Sequence, residues 1–488
     1  DLNEAKGEIR LLKTERFGKR SEKQWEPKPI EAIDDVDQSA KKNKRGQQPG
    51  RPAPKRRDYS HLPIRTQSVD LPENAKACNS CGKRLESLGY REDGEQLEIE
   101  TVIYRRVVRR NRYRCTCKCK HSRTVVAPQP PKLLSKGLLG TSIWTHLLIE
   151  KFHLQRPMHR TLENLRLLGL DLAAGTATDG LRQIAPLMTP IYEAIQARQA
   201  RSMYLHADDT RLNVITEKAG KKGYRWWLWV FAGNDAVNYV LDPSRSHQVP
   251  QSHCPEKARG VLVVDRYSGY KAMEQVKNGK LRLAFCWAHV RRDFMRVGKS
   301  YRQLQTWSLQ WLARIKHLYH LNRNRLRCGS GTKKLSKAES ALRKHIHSME
   351  VEFDTELSDS SLRQPCRKVL ASLKEHWPGL TRFVQDSRIS MDNNYSERLI
   401  RGPVVGRKNY YGSGAEWSGQ MAVTMFSIFS TLAVWKINPH VRLNRYFTAC
   451  AESGGIPENP ISFLPWKLSK KRLAELQRAT DGQNCDSS

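Results

Sequence analysis

Three carboxylates occupy places along the chain where they could meet and hold divalent cations. Asp208 and Asp265 each end an apolar run typical of β-structure, and Glu397 lies in a later segment that predicts a helix. A buried carboxylate is costly unless a cation binds it, and oxygen donors suit Mg²⁺ better than His or Cys does. Three carboxylates around two Mg²⁺ (or Mn²⁺) ions are able to perform phosphodiester chemistry. Taken alone, however, three acids among the 49 Asp and Glu of the chain favour solvated or salt-bridged side chains.

The segments around these acids predict a mixed α/β sheet. Antiparallel strands are expected first, then a buried strand that a helix follows. The expected strands cover residues 205–212, 226–231, 237–241, 261–265 and 281–287. Basic helices are expected over residues 301–390. Asp392 or Asn393 is a suitable N-cap for the helix that carries Glu397, and an apolar helix over 420–435 should pack on the sheet.

Five of the 11 cysteines fall within residues 78–119, which favours a metal site over a disulfide framework. Cys78 and Cys81 form one pair, and the second pair is Cys115 with either Cys119 or Cys117. Two such clusters joined by a β-hairpin predict a zinc ribbon with a structural Zn²⁺. Its strands are expected near Leu97–Val107. A set of free thiols in a basic loop is the alternative.

The net charge of +36 predicts a polyanionic partner, of which nucleic acid is the default. The charge is spread over most of the chain, and residues 105–123 hold nine basic residues and no acidic one. No apolar run is long enough for a transmembrane helix. Residues 41–77 predict a basic flexible linker. Within it, Gly50-Arg51-Pro52 could lie in a minor groove, although a solvated linker is favoured.

Two helical regions flank this front part of the chain. Residues 1–40 predict an N-terminal helix that could be the end of a coiled coil. Residues 127–200 predict helices that suit a helix-turn-helix and an ordinary helical subdomain equally well. The first residue is not Met, so we expect that the N-terminal region is incomplete.

The residues around the three carboxylates resemble the DDE transposases of the insertion sequence 66 family. The similarity runs in order from about residue 11 to 450, and so many motifs in the same order argue against a chance match. It rests on the segments 16–22, 206–210, 264–270, 286–294, 392–398 and 406–409, together with the Cys78 module, Asn438-Pro439 and Tyr446.

The resemblance implies a multidomain α+β protein with a ribonuclease-H-like catalytic core, in which Asp208, Asp265 and Glu397 hold the two metal ions. It implies 3′-end hydrolysis followed by attack of the freed 3′-OH on target DNA. Two positions depart from the family pattern, namely Asp209, where Glu is usual, and Arg266, where Gly is usual. Neither departure changes the expected ligands.

The expected organisation places the core in two segments around a helical insertion, behind a DNA-binding front. The expected units are 1–40, the linker 41–77, the zinc ribbon 78–126, the helical DNA-binding region 127–200, the core 201–300 with 391–435, the insertion 301–390, and a C-terminal helix and tail 436–488. Phosphate contacts are expected from basic residues on the front end and around the acids: Arg105, Arg106, Arg109, Arg110, Arg291, Arg292, Arg398, Arg401, Arg407 and Lys408.

The expected partner is double-stranded DNA, both the terminal repeats of the element and its target. We expect the protein to form a homo-oligomer on DNA, and accessory transposition proteins are possible partners. We expect no association with a membrane and a location in the cytoplasm with the bacterial nucleoid. A DNA-binding regulator derived from a transposase and a ribonuclease-H-like nuclease without strand transfer are the alternatives. Cys286 and His289 have a metal-like spacing, but packing or a DNA-facing role is favoured because two residues do not complete a site.

Overall fold

A computed structural model describes residues 2–17, isolated positions between 62 and 86, and residues 96–114, 124–216, 224–255 and 258–481. The cysteines expected to bind zinc all lie outside the described residues: Cys78, Cys81, Cys115, Cys117 and Cys119. Most of the predicted linker lies outside them too. Within the described residues the chain is a helix-rich mixed α+β protein around a central sheet, as expected.

The front of the chain combines a helix, a small hairpin and a helical region. Its elements are α1 (Leu2–Phe17), β1 (Arg112–Arg114), β2 (Thr124–Val126), α2 (Thr141–Leu148), α3 (Met158–Leu167), α4 (Ala174–Ile184) and α5 (Thr189–Gln199). The strands expected near Leu97–Val107 are wrong, because residues 96–111 form no strand. The apolar side chains there, including Ile99 at 93% exposure, contact too little protein to hold a sheet. The hairpin forms later, where Tyr113 pairs with Val125.

The central sheet has five strands in the described residues, with the spatial order β5-β4-β3-β6-β7. The strands are β3 (Tyr204–Asn213), β4 (Arg225–Ala232), β5 (Val237–Asp242), β6 (Gly260–Val264) and β7 (Leu281–Phe285). β4 runs antiparallel to both β3 and β5, whereas β6 runs parallel to both β3 and β7. The expected strands are therefore present, and the last one ends earlier than expected because a helix starts at Trp287.

The remaining elements are helices around the sheet and beyond it. They are α6 (Gln248–His253), α7 (Ser268–Lys271), α8 (Glu274–Lys277), α9 (Trp287–Ser300), α10 (Gln305–Leu326), α11 (Lys333–Ser358), α12 (Gln364–Leu380), α13 (Arg382–Gln385), α14 (Asn394–Tyr410), α15 (Glu416–Val434), α16 (Pro439–Glu452) and α17 (Lys470–Asp481). Helices α10–α13 occupy the region expected to be basic and helical. None of the described helices is both long and apolar enough to span a membrane.

Helices cover both faces of the sheet, which is why β4 is apolar along nearly its whole length. Successive side chains of a strand point to opposite faces. Leu228 and Val230 therefore join the core shared with α2, α4, α5, α15 and α16, and Trp229 and Phe231 join the core shared with α9–α12. Burial of these large side chains on two sides makes the sheet a rigid platform for whatever its edges carry.

The expected apolar helix over 420–435 is confirmed as α15, and it packs on the edge strand β5. Its hydroxyls also meet backbone groups of that strand. The Val237 amide donates to Thr431 Oγ1 (3.1 Å) and the Tyr239 amide donates to Ser427 Oγ (2.8 Å). These bonds satisfy amides on the free side of an edge strand and thereby protect it from pairing with another chain.

Candidate active site

The pairing of β3 with β6 brings Asp208 and Asp265 to the same level of the sheet. The two strands are parallel, and His206 lies opposite Val263. Two residues further along each strand stand Asp208 and Asp265, where β6 has just ended. Asp208 itself lies within β3, which continues to Asn213 by pairing with β4 on its other side, as the expected strand over 205–212 requires.

A glycine allows β6 to start at this register. Gly260 has φ +130°, and a Cβ there would lie 2.1 Å from the carbonyl oxygen of Met203. The next residue, Val261, donates its amide to the same carbonyl (2.8 Å). Only glycine tolerates both the positive φ and this close approach, so the residue five positions before Asp265 helps to place it.

The start of α14 is tied to β3 beside Asp208, and this brings Glu397 to the pair. Asn393, the N-cap residue, donates from Nδ2 to the Ala207 carbonyl (2.7 Å), and its Oδ1 lies 3.1 Å from His206 Nδ1. Its amide contacts Cys286 Sγ at 3.1 Å. Asn393 therefore anchors α14 to β3 and to the end of β7, and Glu397 follows in the first turn of the helix.

The three carboxylates share one electrostatic environment. Burial raises the pKa of Asp208 to about 8, and the negative charges of Asp265, Asp209 and Glu397 contribute to the rise. The Asp209 amide donates to Asp208 Oδ1 (2.9 Å) and opposes that rise. The Tyr267 amide donates to Asp265 Oδ1 (3.0 Å) and orients that carboxylate. The charges of Asp265 and Glu397 are therefore near enough to raise the pKa of Asp208, but among the described residues these three carboxylates do not form a group whose donor atoms all lie within 4.8 Å of one another.

Cys286 and His289 acquire a third neighbour, which is Glu397. His289 Nε2 lies 3.8 Å from Glu397 Oε1, and one donor atom from each of the three residues lies within 4.8 Å of the others. The cysteine is fully buried, and burial raises the pKa of its thiol to about 11. It is therefore a neutral thiol in this state. The x-x spacing was the signal for this cluster, and the missing partner was 108 positions away in sequence.

Asp209 has a partner that the sequence did not indicate, namely Arg245. The guanidinium donates from Nε to one carboxylate oxygen (2.9 Å) and from Nη2 to the other (3.1 Å). It also lies over the rings of Trp227 and Tyr267, at 4.7 and 4.2 Å from their centroids. The Asp209 side chain is only 2% exposed. Arg245 therefore neutralises a buried charge directly beside the three carboxylates.

Replacing Arg245 with Met should destabilise the protein by about 2 kcal/mol in EDTA. Loss of one partner leaves the Asp209 carboxylate buried and unpaired, and the partial exposure of Arg245 keeps the cost below that of a fully buried pair. Burial already raises the pKa of Asp209, and Arg245 opposes this rise. The folded protein of the variant therefore binds a proton more tightly than the unfolded chain does, so its loss of stability should grow from pH 5 to pH 8.

The control for this variant is Arg198→Met. Arg198 also contacts one carboxylate through Nε and Nη2 and also lies over a Trp ring, but its Asp235 partner is 27% exposed. Thermal unfolding across pH should show a shift under about 1 kcal/mol for the control. Equal and pH-independent losses in the two variants would contradict the assigned role of Arg245.

Arg266, the other departure from the family pattern, holds two helices next to the site. It donates to Ser372 Oγ on α12 (3.0 Å) and forms an ion pair with Asp293 on α9. A glycine at this position has no side chain to make these contacts. Arg266 thus ties the residue that follows Asp265 to the helices behind it.

The basic residues expected to contact DNA fall into three structural groups. Those of the front end are exposed on the irregular segment 96–111: Arg105, Arg106, Arg109 and Arg110. Those on α14 are exposed at Arg398, Arg401 and Lys408, whereas Arg407 donates to the Arg211 carbonyl and so braces β3. Arg291 and Arg292 are half-buried on α9.

Comparison with known proteins gives a family match over more than half of the chain. The family model described as Transposase IS66 family matches residues 136–421, a span that includes all three carboxylates. Two proteins of Sinorhizobium fredii (strain NBRC 101917 / NGR234) are similar along most of their length. Uncharacterized protein y4jD is 25% identical over 92% of this chain and 88% of its own, and uncharacterized protein y4hP is 24% identical over 83% and 76%.

The matched region contains the sheet, the helices α9–α14 and the start of α15, so the family similarity and the geometry concern the same part of the molecule. Transposases act on DNA, and those with a carboxylate centre of this kind generally use divalent metal ions. The chain belongs to the IS66 family of transposases.

Proposed function

We propose that the protein cuts DNA at the ends of a mobile element and transfers the cut strand to target DNA. Asp208, Asp265 and Glu397 would hold two Mg²⁺ (or Mn²⁺) ions for this chemistry. The observation that carries the proposal is that one part of the sheet holds both aspartates and lies beside the first turn of α14, which carries Glu397. In the register of β3 with β6, Asp208 and Asp265 stand at the same height on the two strands. Asn393 anchors the first turn of α14 beside them.

The donor set suits such ions. Oxygen ligands favour Mg²⁺ and Mn²⁺, and the centre offers three carboxylates. Two features indicate that the centre lacks positive charge without a cation. The pKa of Asp208 is raised to about 8, and Glu397 Oε1 is buried with no hydrogen-bond partner in the described structure. When bound, the ions would lower the pKa of the attacking water or 3′-OH and stabilise the leaving oxygen.

The surrounding residues of the chain would position this centre. Tyr267 orients the Asp265 carboxylate through its amide, and Asn393 keeps Glu397 at the edge of β3. Arg245 pairs with Asp209 and offsets part of the repulsion between the Asp209 and Asp208 carboxylates. His289 lies at ion-pair distance from Glu397 Oε1 and limits the orientations of that side chain. We assign these four residues positioning roles.

We further propose that the core is ribonuclease-H-like, and the order and directions of its five strands support this. The helices α10–α13 stand between α9 and α14 and would form the helical insertion. A zinc ribbon at Cys78, Cys81, Cys115 and Cys119 (or Cys117) and the helical region 127–200 would bind the terminal repeats. The proposal of a zinc ribbon is supported by the sequence alone. On the same support we propose that the protein oligomerises on bacterial DNA in the cytoplasm.

A plasmid assay tests the proposed reaction. The full chain would be incubated with Mg²⁺ and a supercoiled plasmid carrying both ends of the element, next to a plasmid without the ends. We expect cuts at the ends and joined products, both dependent on Mg²⁺ or Mn²⁺. Nicks or cuts without joined products would indicate a nuclease that lacks strand transfer, and bound but uncut DNA would indicate a regulator.

A further inference from the structure

A cleft of about 440 Å³ lies next to the carboxylates, between α9 and the insertion helix α10. From α9 it is lined by Arg291 and Arg292. From α10 it is lined by Lys316 and Arg323, both of which are exposed. Four formally positive side chains thus face one concave space from two helices that follow one another in the chain.

The cleft has little negative charge to offset these cations. Its acidic lining residue is Asp392, whose Oδ1 accepts the Asn394 amide at 3.1 Å. The sequence of α10 contains four basic residues and no acidic one. The first turns of α9 and α14 also reach the cleft, at Ala288 and Asn394, and helix N-termini carry partial positive charge. The chemistry of the cleft therefore fits an anion that carries several charges.

The cleft lies close to the proposed active centre along both α14 and α9. Asn394, which lines it, is three residues before Glu397 on α14, a rise of roughly 4.5 Å along the helix. On α9, His289 faces Glu397 while Ala288 and Arg292 line the cleft. A DNA strand whose scissile phosphate lies at the carboxylates would therefore bring its neighbouring phosphates to the cleft.

We propose that this cleft binds the backbone phosphates of the DNA strand next to the scissile bond, with α10 of the insertion as its second wall. The ligand class is a polyphosphodiester, held through charge rather than through base recognition. The identity of the strand rests on the proposed function. The insertion thus has a substrate-binding role, carried by Lys316 and Arg323, in addition to packing on the core.

The test is a double charge reversal, Lys316→Glu with Arg323→Glu, in the full chain. The control is Lys334→Glu with Lys344→Glu on α11, which makes the same charge change at exposed residues of the insertion outside the cleft. The probe is a duplex that carries the element end and its flanking DNA. Binding is measured in EDTA at several salt concentrations, so the result does not depend on cleavage.

We expect the cleft variant to bind about tenfold more weakly, with a logarithmic salt dependence less steep by about two. The control should stay within about twofold of wild type. Equal losses in both variants, or no loss in the cleft variant, would overturn the proposal. A milder pair, Lys316→Gln with Arg323→Gln, should raise KM in the cleavage assay and leave kcat unchanged. If wild type binds through the cleft and cuts nothing, the proposed function fails and the cleft assignment stands.

Discussion

Asp265→Asn should reduce DNA cleavage in Mg²⁺ by at least about a thousandfold, which corresponds to about 4 kcal/mol in the activation barrier. The substitution removes one negative oxygen ligand from a centre that depends on three carboxylates. The fold should be preserved, because the Asn side-chain oxygen can still accept the Tyr267 amide as Asp265 Oδ1 does. DNA affinity in EDTA should be unchanged or slightly higher, since one negative charge near the DNA is lost.

Asp242→Asn provides the matched control for this variant. Asp242 also stands at the end of a strand of the same sheet, and its Oδ1 also accepts the amide two residues later, from Ser244 at 2.7 Å. It does not belong to the carboxylate cluster. Single-turnover cleavage of an end-bearing duplex should give a control rate within about threefold of wild type. Cleavage by Asp265→Asn at the wild-type rate would refute the assignment of this residue.

Asp208→Asn should stabilise the metal-free protein at pH 8, by about 5 kcal/mol. Its pKa of about 8 in the folded state lies above the ordinary value of 3.8. The folded state therefore retains a proton that the unfolded chain releases, and the stability of the wild type falls as the pH rises from about 4 to about 8. The Asn amide has no charge to bury, so the variant should lose this part of the pH dependence. The free energies of unfolding of the two proteins should therefore converge near pH 4.

At pH 8, Mg²⁺ should make the wild type more stable than Asp208→Asn. A cation that binds the folded state alone raises its stability by mass action, and it replaces the proton as the partner of Asp208. Melting temperatures should rise with millimolar Mg²⁺ in wild type and in Asp242→Asn, and they should change little in Asp208→Asn. Parallel stability curves for wild type and Asp208→Asn across pH, with and without Mg²⁺, would contradict the proposed site.

Much of the fold was predictable because its signals are local. The apolar run of β4 and the valine-rich run of β6 indicate buried strands by composition, and the apolar stretch of α15 indicates a helix on the sheet. All three are confirmed. The expected strands at Leu97–Val107 were wrong because alternating apolar residues favour a strand only where a partner strand and a core are available, and these residues are exposed.

The carboxylates of the candidate site were predictable from the sequence, but the residues that position them were not. Asp208, Asp265 and Glu397 were singled out by residue type and by the family motifs around them. Arg245, Asn393 and the joining of His289 to Glu397 were not, because each acts across a large sequence separation. No periodicity or spacing encodes such contacts, which arise only when strands and helices pack.

By itself, the sequence determined the charge, the apolar segments and the motifs that mark a carboxylate centre in a DNA-acting family. These are properties of residue composition and short-range order. The tertiary structure decided the register in which β3 pairs with β6, which puts Asp208 and Asp265 at the same height on neighbouring strands. It also decided that Asn393 anchors α14 to β3 and that α9 and α10 enclose a basic cleft. The physical reason is that strand register and helix packing are set by burial and backbone hydrogen bonding over the whole core. A short segment of sequence does not contain this information.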